Sequence, residues 1–310
     1  MTTLTTRRPI RPSGPTGPTR RKRRLDLTVP LFLSPTLLLL VVFVAYPFLR
    51  AIWLSFTETS LLGGTLGFVG LDNFRTLFTD PSFGTFLSNS VVWTVGGVGL
   101  QLVFGVIGAL LLNQRFRLRG VVRGLAMIPW ATPSVLVALI WMWLLDPNHG
   151  LVNAVLTRTG LMHSPVAWFG NAHSALGTLI VVDAWQGIPF FAVMVLAALQ
   201  AVPEELKESA RTDGCGFLRV FWFITVPSIL PTVLITLVLR LIWTANYIDL
   251  AYVLTGGGPG IASTTIPLAS YLTAYKQGAL GSGASYAVVQ AAVLAVLVAV
   301  YIRLTQRREA

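Results

Sequence analysis

Long apolar stretches separated by short polar segments dominate this chain. Each stretch has at least about 20 residues, the length that an α-helix needs to cross the hydrocarbon core of a bilayer. The stretches cover residues 28–56, 87–112, 124–145, 176–200, 231–254 and 284–304. Lipid offers no hydrogen-bond partners to backbone N–H and C=O groups, so each stretch is expected to be helical. The pattern predicts an all-α integral membrane protein with six transmembrane helices, forming one domain over residues 26–310.

The composition excludes an ordinary soluble protein. Mean hydropathy is +0.71, and 54% of the residues are apolar while only 11% are charged. The first apolar stretch is too long for a secretory signal, and no cleavage pattern of small residues precedes Glu58. We therefore expect this stretch to remain as an uncleaved membrane anchor.

The positive charges indicate how the chain is oriented. The net charge is +11, from 23 Lys and Arg against 12 Asp and Glu. Eighteen of these cations lie before the first stretch, in 113–123, in 201–230 or at the C-terminus. Four others lie on the opposite side: Arg50, Arg75, Arg158 and Lys276. Because positive loops stay inside, both termini are predicted to be cytoplasmic, and the charge does not indicate a nucleic-acid partner.

The N-terminal segment is basic and polar, and the chain has no sequence motif typical of an enzyme active site. Residues 1–25 are rich in Pro, Thr and Arg, which predicts a disordered basic cytoplasmic tail that contacts anionic membrane lipid. The chain has no GxxxxGK[ST] phosphate loop, no GxSxG motif, a single cysteine, and three histidines without metal-ligand spacing. We expect no catalytic residue, metal site or cofactor in this chain, which argues against a membrane enzyme.

The polar segment 201–230 carries ordered helix signals. Pro203 suits the first position of a helix, Glu204 suits its positive end, and Gly214 suits a helix end that needs a positive φ. Apolar residues then continue at helical spacing from Phe217 to Pro227. The segment is expected to form a short helix, a glycine turn and a second, amphipathic helix. Composition leaves two uses open: a membrane-surface element or a docking site for a partner protein.

Two motifs resemble those of a known family. The first comprises Glu208-Ser209-Ala210, Asp213-Gly214, Ile224-x-Val226-Pro227 and Pro231. It is similar to the EAA loop of ABC-importer permeases, with Ser209, Cys215 and Val226 as mild departures. The second is V-L-T-G-G-G-P at 253–259. Together they resemble the permease subunit of carbohydrate importers of the maltose/trehalose type, a resemblance that covers all six stretches.

The resemblance implies partners and a coupling site. Glu208, Ser209, Ala210, Asp213 and Gly214 would form the coupling helix that fits a groove on the ATPase subunit. The implied partners are a second related permease, two copies of an ABC ATPase that binds ATP and Mg²⁺, and an extracytoplasmic sugar-binding protein. The implied location is a bacterial or archaeal cytoplasmic membrane. A secondary transporter is the distant alternative, and it would need an inverted repeat and its own coupling-ion site.

Ionisable residues within the apolar stretches mark a candidate cargo site. A charge at the bilayer centre costs about 2.5–3.5 kcal/mol, so Asp183, Arg240 and Asp249 should face protein or water. A structural ion pair between Arg240 and an Asp is the simpler alternative. Gly187 and Pro189 are residues that can break a helix and expose backbone groups to a cavity.

The side chains around these charges suit a polyol, because aromatic faces stack on a sugar and amides and carboxylates bind its hydroxyls. The maltose-type resemblance assigns a sugar site to Asp183, Gly187, Phe190, Arg240, Trp243, Thr244 and Tyr247, and the same segment adds Asn246 and Asp249. Asp183 and Tyr247 stand where an amide is expected, and Arg240 where a small hydroxyl is expected. A different glycan, a di- or oligosaccharide, is therefore predicted. A glycerol phosphate or phosphodiester held by Arg240 is the alternative cargo.

Overall fold

The computed structural model describes the backbone of residues 28–309 and the side chains of residues 32–303. The basic tail predicted for residues 1–25 lies outside the described residues. The chain divides into two compact units, with the boundary between Leu49 and Arg50.

The described part of the first unit is a helix made of consecutive segments. Helix α1 spans Thr28–Leu40, a π-helical turn covers Val41–Ala45, and α2 covers Tyr46–Ser55 and passes the unit boundary. Its apolar side chains are exposed; Phe32 is 78% exposed and Phe43 is 71% exposed. Such a helix is suited to an apolar solvent, as the first predicted span requires.

The second unit begins with a small sheet that the sequence analysis did not predict. Strands β1 (Thr57–Ser60) and β2 (Gly64–Phe68) pair antiparallel, with a bulge between Glu58 and Thr59. Gly64 has a φ of +70°, which a glycine adopts without steric cost at the turn. The helical prediction for the spans is unaffected, because this hairpin lies in a loop between them.

The remaining described elements of this unit are helical. In chain order they are α3 (Asp72–Thr79), α4 (Phe83–Asn113), α5 (Arg119–Ala126), α6 (Ile128–Ala131), α7 (Ser134–Leu144), α8 (Leu151–Arg158), α9 (Ala175–Ala201), α10 (Glu204–Thr212), α11 (Phe217–Val220), a π-helical turn (Phe221–Thr225), α12 (Val226–Ala245), α13 (Asp249–Leu254), α14 (Ile266–Tyr271), a second π-helical turn (Leu272–Lys276) and α15 (Leu280–Glu309). Among the described residues of the whole chain, five helices are long and apolar enough to span a membrane, and the number rises to six when one bent helix pair is counted as a single span. The predicted helical membrane fold is confirmed.

The third predicted span is this bent pair. Helical segments Arg119–Ala131 and Ser134–Leu144 meet at 93°. The bend falls at Thr132 and Pro133, where Thr132 is extended with a ψ of 130°. A proline disfavours the helical conformation in the residue before it, which explains the break. The sequence analysis predicted an uninterrupted helix over 124–145 and missed this bend.

Helices α4 and α9 pack closely against each other. A Cβ on Gly105 would overlap the side chain of Phe191, and one on Gly108 would lie 3.4 Å from Ala192. Gly96 and Gly97 similarly face Ile180 and Asp183, whereas Gly99 has nothing within 4 Å. Four glycines of α4 therefore allow the backbones of α4 and α9 to approach each other closely.

One expected helix end is wrong, and one possible helix break is absent from the described helices. Helix α9 continues through Gly187 and Pro189 to Ala201. The amphipathic helix that begins at Phe217 continues past Pro227 into the fifth span, through the π-helical turn Phe221–Thr225. Local π-helical adjustment and neighbouring helices let a membrane helix tolerate a proline. The fifth span instead breaks after Ala245, and α13 resumes at Asp249.

Candidate functional site

A polar cavity of about 390 Å³ lies beside the break that follows α12. Its walls come from α6, α9, α12 and the residues of the break. The lining residues are Trp130, Asp183, Gln186, Gly187, Arg240, Ile242, Trp243, Thr244, Asn246 and Tyr247. Charged, amide, hydroxyl and aromatic groups thus converge on one space inside the membrane segments.

The two charges of the cavity are joined through an amide. Gln101 on α4 is fully buried, and its Nε2 donates to Asp183 Oδ2 at 2.8 Å. The Nε of Arg240 donates to Gln101 Oε1 at 2.7 Å. No direct ion pair joins Asp183 and Arg240 among the described side chains. The simpler alternative of an Arg240–Asp ion pair is therefore replaced by a bridged arrangement.

Aromatic rings form one side of the site. Phe190 stacks on Trp130 with ring centroids 5.7 Å apart, and it lies 5.3 Å from the ring of Trp243. The Arg240 guanidinium carbon lies 6.0 Å from the centroid of Trp243. Trp243 is 44% exposed, so part of its ring remains open to a ligand. Phe190 does not line the cavity but supports the two tryptophans that do.

A second polar chain runs along the cavity. The hydroxyl of Tyr247 donates to Gln186 Oε1 at 3.1 Å, and Gln186 Nε2 donates to the carbonyl of Thr132 at 3.1 Å. Thr132 is the residue at the bend of the third span. The cavity is thereby hydrogen-bonded to the broken part of that span.

The end of α12 is held by side chains from two other helices. Trp93 Nε1 donates to the carbonyl of Thr244 at 2.9 Å, and Gln290 Nε2 donates to that of Ala245 at 3.1 Å. The Thr244 carbonyl also accepts the Tyr247 N–H at 3.1 Å, so backbone and side-chain donors together cap this helix end. The Thr244 hydroxyl is buried and has no hydrogen-bond partner in the described part of the chain. Thr244 lines the cavity with other atoms, and its hydroxyl lies behind the surface.

Seven of the nine residues predicted for cargo binding line this cavity. Phe190 packs behind the wall, against Trp130 and Trp243. Asp249 does not line the cavity; its Oδ2 accepts a hydrogen bond from Ser134 at 3.2 Å. Gln101, Trp130 and Gln186 belong to the site but were not among the predicted residues. Gln101 carried a usable signal: it is a long amide within an otherwise apolar stretch. Trp130 carried none, since its position depends on the bend.

The predicted coupling segment forms a hairpin consisting of α10, a glycine turn and α11. Gly214 has a φ of +84°, its N–H donates to the Arg211 carbonyl at 3.0 Å, and the N–H of Cys215 donates to the Ala210 carbonyl at 2.9 Å. This is a Schellman end, which satisfies two carbonyls and requires the left-handed conformation at Gly214. The remaining predicted coupling residues, Glu208, Ser209 and Asp213, are exposed.

The surface of this hairpin is polar on α10 and apolar beyond the turn. Helix α10 has no buried residue, and Lys207 Nζ donates to Glu204 Oε2 at 2.8 Å. That hydrogen bond lowers the pKa of Glu204 below its ordinary value. Phe217 is 72% exposed and Phe223 is 77% exposed. The hairpin thus offers both charged and apolar contacts.

Residues 101–308 match the sequence model of a protein family described as the binding-protein-dependent transport system inner membrane component. The chain belongs to this family. It is the multi-pass permease of a prokaryotic ABC importer, and ATP hydrolysis lies with its partner subunits. Family membership decides against a secondary transporter.

Several relatives of this permease are named for carbohydrate transport. It is 33% identical over 278 residues to the trehalose/maltose transport system permease protein MalF of Thermococcus litoralis, covering 90% of this chain and 93% of the relative. It is 34% identical over 280 residues to the sulfoquinovosyl glycerol transport system permease protein SmoG of Agrobacterium fabrum, covering 90% of each chain. The predicted resemblance is confirmed.

A solved structure has the same fold. This is a permease chain in the crystal structure of a bacterial ABC transporter involved in import of the acidic polysaccharide alginate. The TM-score is 0.80 at 23% identity, covering 91% of this chain and 96% of that one.

Proposed function

We propose that this permease carries an uncharged di- or oligosaccharide through the cavity beside α12. The observation that supports the proposal is the combination of open aromatic faces with a charge-compensated pair, Asp183 and Arg240, on one cavity wall. Relatives named for trehalose/maltose, sulfoquinovosyl glycerol and diacetylchitobiose transport support a carbohydrate cargo.

The chemistry of the cavity fits a sugar. Trp243 and Trp130 present ring faces to the C–H face of a pyranose. The terminal nitrogens of Arg240 can donate to neighbouring hydroxyls, and Asp183 can accept from them. The Asp183 carboxylate offsets the positive charge of Arg240, so an anionic cargo would gain little net attraction. This compensation favours the neutral sugar over a phosphodiester.

We further propose that the cargo pathway is completed by a second, related permease, and that two copies of an ATPase subunit drive it. The hairpin around Gly214 would dock in a groove of the ATPase, with Glu208, Ser209, Ala210 and Asp213 at the contact. ATP-driven closure of the ATPases would move this hairpin and turn the cavity outward, and hydrolysis would return it inward. An extracytoplasmic binding protein would deliver the sugar.

Arg240→Gln separates the two cargo classes. This substitution removes the compensating charge and leaves Asp183 buried without its counter-charge, so uptake of trehalose or maltose should fall at least about tenfold. The measurement is uptake by proteoliposomes containing the full importer and its binding protein. Wild-type uptake of glycerol phosphodiesters that is lost in Arg240→Gln, with disaccharide uptake spared, would reverse the preference for a neutral sugar.

Co-purification tests the assembly. The tagged chain, extracted in mild detergent from its native host, should bring with it one related permease and an ATPase in about twofold excess, identified by mass spectrometry. Recovery of the chain only as a monomer or homodimer across several detergents would contradict the proposed heteromeric pathway.

A further inference from the structure

A buried amide behind the cavity wall connects its two charges. Gln101 is 0% exposed and does not line the cavity, whereas its partners Asp183 and Arg240 both do. Its Nε2 donates to Asp183 Oδ2, and also to the Asp183 carbonyl at 3.3 Å, while its Oε1 accepts from Arg240 Nε. Every hydrogen-bonding atom of the Gln101 side chain is therefore directed to one of these two residues.

The position of the bridge decides which atoms remain for a ligand. A direct pair between a guanidinium and a carboxylate is commonly bidentate and uses two nitrogens and both oxygens. With Gln101 between the two groups, Arg240 uses only Nε, and Asp183 uses one oxygen. The terminal nitrogens of Arg240 and the second oxygen of Asp183 form no hydrogen bond within the described part of the chain. The bridge keeps both charges compensated without occupying their outer atoms.

Two glycines make room for this bridge. A Cβ on Gly187 of α9 would overlap both Gln101 and Arg240, and a Cβ on Gly97 of α4 would lie 2.7 Å from Asp183 Oδ2. Any other residue at either position would push one of the three polar side chains aside. The bridge is therefore held from α4, α9 and α12 together, rather than being a chance contact of long side chains.

We propose that Gln101 is a positioning residue for cargo recognition: it holds Asp183 and Arg240 as a bridged, compensated pair whose outer atoms stay free to bind cargo hydroxyls. This inference rests on the proposed carbohydrate function of the cavity. Without the amide, Arg240 and Asp183 would collapse into a direct ion pair and withdraw those atoms from the cargo.

The test uses the complete importer, reconstituted with its ATPase, partner permease and binding protein. Gln101→Met keeps the volume and removes both hydrogen bonds. Cargo transported per ATP hydrolysed, with maltose, trehalose and diacetylchitobiose as probes, should fall at least about tenfold, because the lost bonds involve charged groups. Asn89→Leu is the matched control: Asn89 is a buried amide on the same helix that bonds the carbonyls of Ile261 and Thr264, away from the cavity. It should change the amount of assembled complex but not this ratio.

An exchange of groups distinguishes positioning from simple destabilisation. Gln101→Glu places two carboxylates side by side and should lower the ratio about tenfold. The double variant Gln101→Glu with Asp183→Asn restores one amide and one carboxylate, so that Arg240 again donates to residue 101 and residue 183 again shares a bond with it. We expect the double variant to exceed Gln101→Glu by at least about threefold, because the two adjacent carboxylates are gone, and to stay below the wild type, because the carboxylate at position 101 pairs directly with Arg240; separate structural effects would not produce such a coupling. An assembled double variant with intact ATPase activity and no recovery would overturn the proposal.

A measurement without cargo separates this inference from the proposed function. If the wild-type importer transports none of the three sugars, the carbohydrate proposal fails, and the cargo-free structure of the Gln101→Met complex still decides the role of Gln101. A direct ion pair between Asp183 and Arg240 in that structure supports positioning. An unchanged separation of the two side chains overturns it.

Discussion

Gly214→Val is expected to abolish sugar uptake while leaving ATP hydrolysis active. The φ of Gly214 is +84°, and a β-branched residue there costs roughly 1–2 kcal/mol or more. The Schellman bonds from Gly214 and Cys215 hold the end of α10, so the strained turn should open and move α10 relative to the ATPase groove that we propose it occupies. Uptake in proteoliposomes should fall more than about tenfold, while ATP hydrolysis by the same complex persists.

Two companion variants sharpen this test. Asn tolerates the left-handed region better than other non-glycine residues, so Gly214→Asn should retain an intermediate uptake. Gly216 lies two residues away, with a φ of −70° and nothing within 4 Å of an added Cβ. Gly216→Ala should therefore transport like the wild type. Wild-type uptake in Gly214→Val would show that the turn is not needed for coupling.

Gly187→Ala is expected to remove transport by blocking the polar bridge in the cavity. The added methyl group would overlap Gln101 and Arg240, both of which are confined by neighbouring helices. One of the hydrogen bonds to a charged group must break, so uptake of the transported sugar should fall at least about tenfold.

Gly177→Ala is the matched control for this variant. Gly177 lies on the same helix α9, and nothing lies within 4 Å of an added Cβ there. Alanine also has a higher helix propensity than glycine, so this substitution should not weaken α9. Equal uptake by the two variants would mean that the close approach at Gly187 has no role in transport. The comparison is made at matched amounts of assembled complex, measured by size-exclusion chromatography.

The spans could be predicted because hydrophobic length is a local property. About 20 apolar residues indicate a membrane helix wherever they lie, and glycines such as Gly105 in α4 indicate close packing. Breaks were harder to locate. Pro189 and Pro227 both lie in continuous helices, whereas Pro133 ends one. The outcome depends on the local helix geometry and on which neighbours can satisfy the freed carbonyls, and the sequence does not list those neighbours.

The ionisable residues of the site could be predicted from the sequence, whereas the hydrogen bonds between its side chains could not. Asp183 and Arg240 were evident as ionisable groups within apolar stretches, and both line the cavity. Asp249 had the same signal but bonds Ser134 instead. Gln101 and Arg240 are separated by 139 residues, so their contact follows from how α4 and α12 pack. Neither local segment contains a sequence pattern that predicts such a contact.

The bonds from Trp93 and Gln290 to the end of α12 have a mechanical consequence. Through them, the stretch of backbone that carries Thr244 and Tyr247 is fastened to α4 and α15. A displacement of this stretch would affect α4, α12 and α15 together, since none of these helices can shift relative to the others without stretching a buried hydrogen bond. Under the proposed function, the end of α12 would therefore move together with α4 and α15.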